Sequence, residues 1–299
     1  MANVLAVIWD FDKTLVNGYM QDPIFEKYQV DPLQFWNEVN ALPKKYKDEQ
    51  NVRVNPDTIY LNHFIHCAEN GTFPGLNNAV LRESGKDLKF YPGVPEIFEA
   101  TRAAIEEKPE YQKYDIKVEH YIVSTGMREV ILGSIIADKV NGVWGCELIE
   151  KEDPNNPGQT IIGELGYTID NTSKTRAIFE INKGKGVDVN VKLAHELRRV
   201  PFENMIYIAD GPSDIPAFAL VHHNGGSTFA IYPPGHEKEF AQVEQLREDG
   251  RIDMFAEADY SIGKPAYMWI VNKLREYAER ICKAEKDKMP VEKLPQHIR

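Results

Sequence analysis

Three apolar runs punctuate the chain, and each stops at a cluster of small or acidic residues. Val4 to Trp9 is apolar throughout and ends in Asp10, Phe11 and Asp12. Val118 to Val123 (VEHYIV) runs into Ser124-Thr125-Gly126, and Met205 to Ala209 (MIYIA) runs into Asp210-Gly211-Pro212-Ser213-Asp214. Runs this short, without strict alternation, predict strands buried on both faces. Thr228 to Tyr232 and Tyr260 to Ile262 read as shorter, later strands. Helical periodicity covers Val94 to Glu107, Thr175 to Asn182 (stopped by Gly184) and Pro265 to Lys283. Strands alternating with helices predict an α/β protein: a Rossmann-like parallel sheet with helices on both faces.

Two segments break this rhythm. Residues 17–89 carry helical stretches (PIFEKYQV, DPLQFWNEV, TIYLNHFIHCAEN) and no core strand, so a helical lobe inserted after the first strand is expected. That divides the chain into a core of residues 1–16 and 90–299 and a lobe of 17–89. CELIEK and TIIGELGYT flank a Pro/Asn/Gly loop and predict a β-hairpin over residues 146–168. From Glu285 onward the charged, proline-containing tail is expected to be loosely held.

Composition narrows the function. Of 299 residues 42% are hydrophobic, enough for a packed core. The net charge of −11 excludes a general nucleic-acid binder, which needs a field that attracts phosphates. A small phosphorylated substrate remains compatible if cations are supplied locally. Cys67, Cys146 and Cys282 offer neither a disulfide framework nor zinc spacing, which suits a reducing cytoplasm. Val4 to Trp9 is short, lacks a basic leader and meets two acids, so no secretory signal is expected. No apolar run approaches the roughly 18 residues of a membrane span.

Side chains alternate along a strand, so Asp10 and Asp12 emerge on one side with Phe11 opposite. Adjacent carboxylates repel and are costly to desolvate; a cation or a shared proton would explain them. Ligands of open α/β sheets bind beyond the carboxyl ends of the strands, where this pair falls. A small hydroxyl followed by glycine, as at Ser124 to Gly126, lets backbone N–H groups approach an anion. Asp210 and Asp214 alone would be an ordinary acidic turn; three such strand ends together are far more specific. The cluster needs a positive charge, for which Lys174 at a helix start is the candidate and Arg176 its competitor.

Other groups read more plainly. His63 and His66 lie at helical spacing without a third metal ligand and read as surface histidines. His222 and His223 read as a loop, as does Lys183-Gly184-Lys185-Gly186, which lacks the phosphate-loop pattern. Lys44, Lys45 and Lys47 form a solvated surface or draw in an anionic substrate. Phe35 and Trp36 belong to a core, and Arg82 is a minor candidate for meeting a substrate group.

Asp10-Phe11-Asp12-Lys13-Thr14-Leu15, Ser124-Thr125-Gly126, Lys174 and Asp210-Gly211-Pro212-Ser213-Asp214 resemble, in order, the four motifs of the haloacid dehalogenase superfamily. The match spans roughly residues 4–262. The helical insertion followed by FYPGVPEIFEATR resembles the phosphoserine-phosphatase-like branch, whose members have a mobile helical cap. The resemblance implies a phosphatase of a small phosphorylated metabolite, while the charge and the apolar runs already argue against a nucleic-acid or membrane partner. Asp10 would be the nucleophile, forming an aspartyl-phosphate, and Asp12 the general acid and then base. Ser124 and Lys174 would hold phosphate oxygens, helped by the Thr125 and Gly126 backbone. Mg²⁺ would be held by Asp10, the Asp12 carbonyl and Asp210, with Asp214 direct or one shell out. A phosphotransferase or mutase, or a non-catalytic binder of a phosphorylated ligand, are the alternatives. The family often carries Gly and Asn where this chain has Ala209 and Ser213. Phosphoserine phosphatases carry a substrate-binding Glu where this chain has Tyr19, so phosphoserine is not the expected substrate.

Overall fold

A computed structural model describes residues 3–184 and 186–288. The expected loose tail therefore lies outside the described residues beyond Lys288, as does Lys185; up to Lys288 the tail continues the last helix.

Strand β1 (Asn3–Trp9) leads into four helices: α1 (Asp22–Tyr28), α2 (Pro32–Gln50), α3 (Ile59–Glu69) and α4 (Asn78–Ser84). Next come α5 (Glu96–Glu106), α6 (Pro109–Gln112), β2 (Ile116–Met127), α7 (Arg128–Gly133), β3 (Gly142–Glu152) and β4 (Thr160–Tyr167). The remainder is α8 (Lys174–Lys183), β5 (Met205–Ala209), α9 (Ile215–His223), β6 (Ser227–Tyr232), α10 (Glu237–Glu248), β7 (Met254–Glu257) and α11 (Pro265–Lys288). The sheet has the order β4-β3-β2-β1-β5-β6-β7. All neighbours are parallel except β3 and β4, which form the expected hairpin.

The pleat of β1 shows why both faces must be covered. Leu5, Val7 and Trp9 enter one core with α5, α11 and the helical insertion. Val4, Ala6 and Ile8 enter the other with α8, α9 and α10. An all-apolar run is the sequence of a strand buried on both sides.

After β1 the chain fills one side of the sheet, then crosses to β5 on the other side. The crevice beyond β1 and β5 is thus the switch point at which open α/β sheets bind ligands. Register places the key residues there. Trp9 pairs with Ile122 of β2 and Ile208 of β5, so Asp10, just past β1, is level with Val123 and Ala209, one residue before Ser124 within β2 and Asp210 just past β5.

The insertion has its own aromatic core. Phe25 stacks with Phe64 at 5.9 Å, and Phe64 packs on Phe35 at 4.7 Å and Phe73 at 5.1 Å. It is strapped to the rest of the molecule. The Ile162 amide donates to the Leu76 carbonyl (2.8 Å), and Asn78 bonds Leu148 and Glu150 of β3. Helices α4 and α7 meet backbone to backbone. A Cβ on Gly133 would lie 1.6 Å from the Arg82 carbonyl oxygen, and one on Gly85 2.1 Å from that of Val130.

Three expectations about elements fail. β2 does not stop at Val123 but runs through Ser124, Thr125 and Gly126 to Met127, with its register on β3 shifting between Val123 and Met127. Tyr260 to Ile262 is not a strand; β7 is Met254–Glu257. The Tyr260 ring packs edge-on against Trp9 at 5.4 Å, and its hydroxyl donates to the Thr14 carbonyl, so this segment anchors across the sheet instead of extending it. His222 and His223 are the last turn of α9, not a loop. That helix is apolar over most of its length and shows little periodicity to read.

Candidate active site

At the carboxyl ends of β1 and β5, four side chains form a buried ionic chain. The Lys174 ammonium donates to Asp10 Oδ1 at 2.8 Å and to Asp214 Oδ1 at 2.6 Å. Lys174 is 1% exposed, Asp214 0% and Asp10 6%, so their charges are compensated by one another and not by solvent. Tyr207 also donates to Asp214 Oδ1 (2.6 Å), and Ser213 Oγ donates to Asp214 Oδ2 (2.9 Å). Lys174 opens α8, whose N-terminal dipole opposes a cation. Two carboxylates outweigh both that dipole and burial: burial opposes its charge, yet Asp10 and Asp214 raise its pKa above the ordinary lysine value.

The carboxylates answer to the same forces. Burial pushes Asp10 up to about 6, opposed by Lys174 and reinforced by Asp214. Burial, then Asp10 and Asp214, push Asp210 up to about 7. Asp12 is raised well above the carboxylate range by burial and by Asp10, although its Oδ1 accepts the Met20 amide at 2.8 Å. Asp12 therefore holds a proton far more readily than an ordinary aspartate.

One ligand oxygen each from Asp10, Asp210 and Asp214 lie within 4.8 Å of one another. An all-oxygen donor set fits a hard divalent cation, which would offset the burial that chiefly raises Asp10 and Asp210 and the repulsion among the three carboxylates that adds to it. Among the described residues the Asp210 carboxylate forms no hydrogen bond, whereas both oxygens of Asp214 are taken.

The hydroxyl-glycine segment is arranged differently from a bare cradle. Ser124 is buried, and its Oγ accepts the Gly126 amide at 2.9 Å. That leaves the Ser124 hydroxyl proton for an anion but occupies the Gly126 N–H. Tyr60 of α3 donates to the Thr125 carbonyl (2.9 Å). Met20 lies over Gly126: a Cβ there would meet Met20 Cε at 2.0 Å. Its sulfur accepts the Met127 amide at 3.0 Å.

Arg176, the competitor of Lys174, pairs with Glu180 at 3.1 Å and is mostly exposed. Arg82 pairs with Glu129. Of the two histidines expected at the surface, His66 is exposed, but the His63 side chain is only 11% exposed, packed on Phe35 at 4.8 Å and bonded to Glu38 at 3.0 Å. Lys44, Lys45 and Lys47 are exposed on α2, while Phe35 is buried in the aromatic core. Sequence reasoning did not single out Met20, Tyr60 or Tyr207. Only Tyr207 carried a signal, a hydroxyl within an otherwise apolar central strand.

No family model matches the chain. Among solved structures it is similar to a HAD family hydrolase from Salmonella enterica subsp. enterica serovar Typhi, with a TM-score of 0.51 and 15% identity, covering 85% of this chain and 67% of that one. It is likewise similar to a phosphoserine phosphatase in its apo form, with a TM-score of 0.50 and 14% identity, covering 85% of this chain and 93% of that one. At these identities the likeness is one of architecture, and the class is that of the haloacid dehalogenase fold with an inserted helical cap. Within that class the chain belongs to the same family as a protein of Borreliella burgdorferi described as an uncharacterized protein. The two are 38% identical over 283 residues, which is 91% of this chain and 97% of that one.

Proposed function

We propose that the protein is a Mg²⁺-dependent phosphohydrolase of a small phosphorylated metabolite, acting through an aspartyl-phosphate on Asp10. The observation that carries this reading is the Lys174 ammonium bridging Asp10 and Asp214, with Asp210 beside them, at the switch point of the sheet. In the first displacement an Asp10 oxygen attacks phosphorus and the bond to the alcohol oxygen breaks. Asp12 gives its proton to the departing alkoxide, a role supported by its raised pKa. In the second, Asp12 takes a proton from water, which attacks the same phosphorus and frees Asp10 and phosphate.

The residues that would hold the metal are Asp10, Asp210 and the Asp12 carbonyl. Asp214, both of whose oxygens are engaged, would serve by holding Lys174. The cation would supply neutralisation between an anionic nucleophile and an anionic ester. Two of the three Lys174 protons go to Asp10 and Asp214, which leaves the third for a phosphoryl oxygen. The Ser124 hydroxyl and the Thr125 amide complete the proposed phosphate site. We place the core at residues 1–16 and 90–299 and the substrate-selecting cap at 17–89, with catalysis in the cytoplasm.

A panel of phosphomonoesters incubated with Mg²⁺ tests the reading. Release of inorganic phosphate is expected from at least one of them, and none from all would overturn it. An isomerised phosphosugar without free phosphate would instead establish transfer.

A further inference from the structure

We infer that Tyr207 is a positioning residue of this site, setting how Lys174 divides its charge between Asp10 and Asp214. The inference rests on the phosphohydrolase reading above and concerns a residue outside its reacting groups.

Tyr207 lies in the middle of β5 and is fully buried, with its ring edge-on to Phe218 at 5.5 Å. A tyrosine in such a place needs a partner for its hydroxyl. Its partner is Asp214 Oδ1, at 2.6 Å, the same oxygen that accepts the Lys174 ammonium at 2.6 Å. One lysine charge therefore serves two carboxylates, and the less satisfied of the two draws it harder. The Tyr207 and Ser213 hydroxyls together supply Asp214 with two further donors. Charge-assisted bonds of this kind are about twice as strong as neutral ones.

With its other donors in place, Asp214 makes a smaller claim on Lys174. The ammonium then stays shared, 2.6 Å from Asp214 and still 2.8 Å from Asp10, where negative charge is redistributed during transfer. Without the Tyr207 hydroxyl, Asp214 becomes the more demanding partner and draws Lys174 away from Asp10 and the phosphoryl group. The loss falls on the transition state more than on substrate binding, so it is read in kcat more than in KM.

Tyr207→Phe removes one hydroxyl and keeps the ring. Phe218→Leu loosens the same packing and leaves every hydrogen bond of the ionic chain in place. With p-nitrophenyl phosphate and Mg²⁺, Tyr207→Phe is expected to lower kcat about tenfold, of the order that one charge-assisted bond contributes. KM is expected to stay within about twofold, and Phe218→Leu to keep wild-type kcat at a temperature well below its melting point. Wild-type kcat in Tyr207→Phe, or an equal loss in both variants, would overturn the inference and leave the phosphohydrolase reading standing. A wild-type protein that turns over no phosphomonoester at all would overturn both.

Discussion

The ends of β1 and β5 and the helical insertion are both tightly packed, yet they are held by opposite means. At the strand ends, Lys174, Asp10, Asp214 and Tyr207 are kept in place by hydrogen bonds among three charges and one buried hydroxyl that each need the others. In the insertion, Phe25, Phe35, Phe64 and Phe73 are kept in place by ring contacts and buried area. An ionic chain in low dielectric is worth little as a source of stability, because desolvation offsets the attraction. What it supplies is fixed geometry and strained protonation. A cluster of rings supplies stability and no chemistry. The two regions should therefore fail in different experiments.

The sharpest break comes from Asp10→Asn. The amide keeps the shape of the carboxyl and an oxygen to accept from Lys174, but it is not a nucleophile. Phosphate release is expected to fall at least about a thousandfold, with a melting temperature no lower than wild type. Wild-type turnover in this variant, measured as released phosphate, would sink the mechanism. Phe64→Ala breaks the other region. Phe64 is fully buried, and its loss is expected to cost about 3–5 kcal/mol in denaturant unfolding. The pKa values of Asp10 and Asp210 should not move, which carboxylate NMR titration would check.

The contrast also explains what could be read in advance. The strand ends were legible because a run with no polar residue that stops at two acids has few structural explanations. Asp10, Asp210 and Asp214 stand out in this way and Lys174 as the cation their cluster needs at a helix start, and the structure brings the four together. Tyr207 was not, because its role depends on which carboxylate its hydroxyl meets, and that is set by the sheet register and the turn after β5. In the insertion, helical periodicity gave α1 to α3 but not their attachments. The hydrogen bonds from Asn78 to β3 and the crossing of α4 on α7 join residues far apart in sequence. β7 was misplaced for a related reason: Tyr260 is as buried as a strand residue, but its burial comes from Trp9 and Thr14.

The attachment of the insertion gives a smaller test. A methyl group on Gly133 would lie inside the Arg82 carbonyl, so α4 would have to move off α7. Gly133→Ala is expected to lower stability by about 1–3 kcal/mol. Because α7 directly follows Gly126 and Met127, the shift should also reach the candidate phosphate site. Unchanged stability in a denaturant melt would show that the two helices are not locked together as their approach implies.

The smallest effect has the opposite sign and sets the two regions most clearly apart. Asp210 is raised from 3.8 to about 7 in the folded protein, so between these values the native state binds more protons than the unfolded one. Its contribution to stability is therefore complete below the unfolded pKa and is lost as pH rises through about 7. Above that, the metal-free protein carries an ionised Asp210 against Asp10 and Asp214. Asp210→Asn removes this repulsion. The metal-free variant is expected to melt about 2–5 °C above wild type at pH 8. That advantage should shrink towards zero near pH 4. Added Mg²⁺ should stabilise wild type at pH 8 and do little for the variant, narrowing or reversing the gap. A substitution at a ring contact such as Phe64 should destabilise by the same amount at either pH, with or without the cation. An Asp210→Asn variant less stable than metal-free wild type at pH 8 would show that this carboxylate is satisfied by the fold itself and is not held in readiness for a cation.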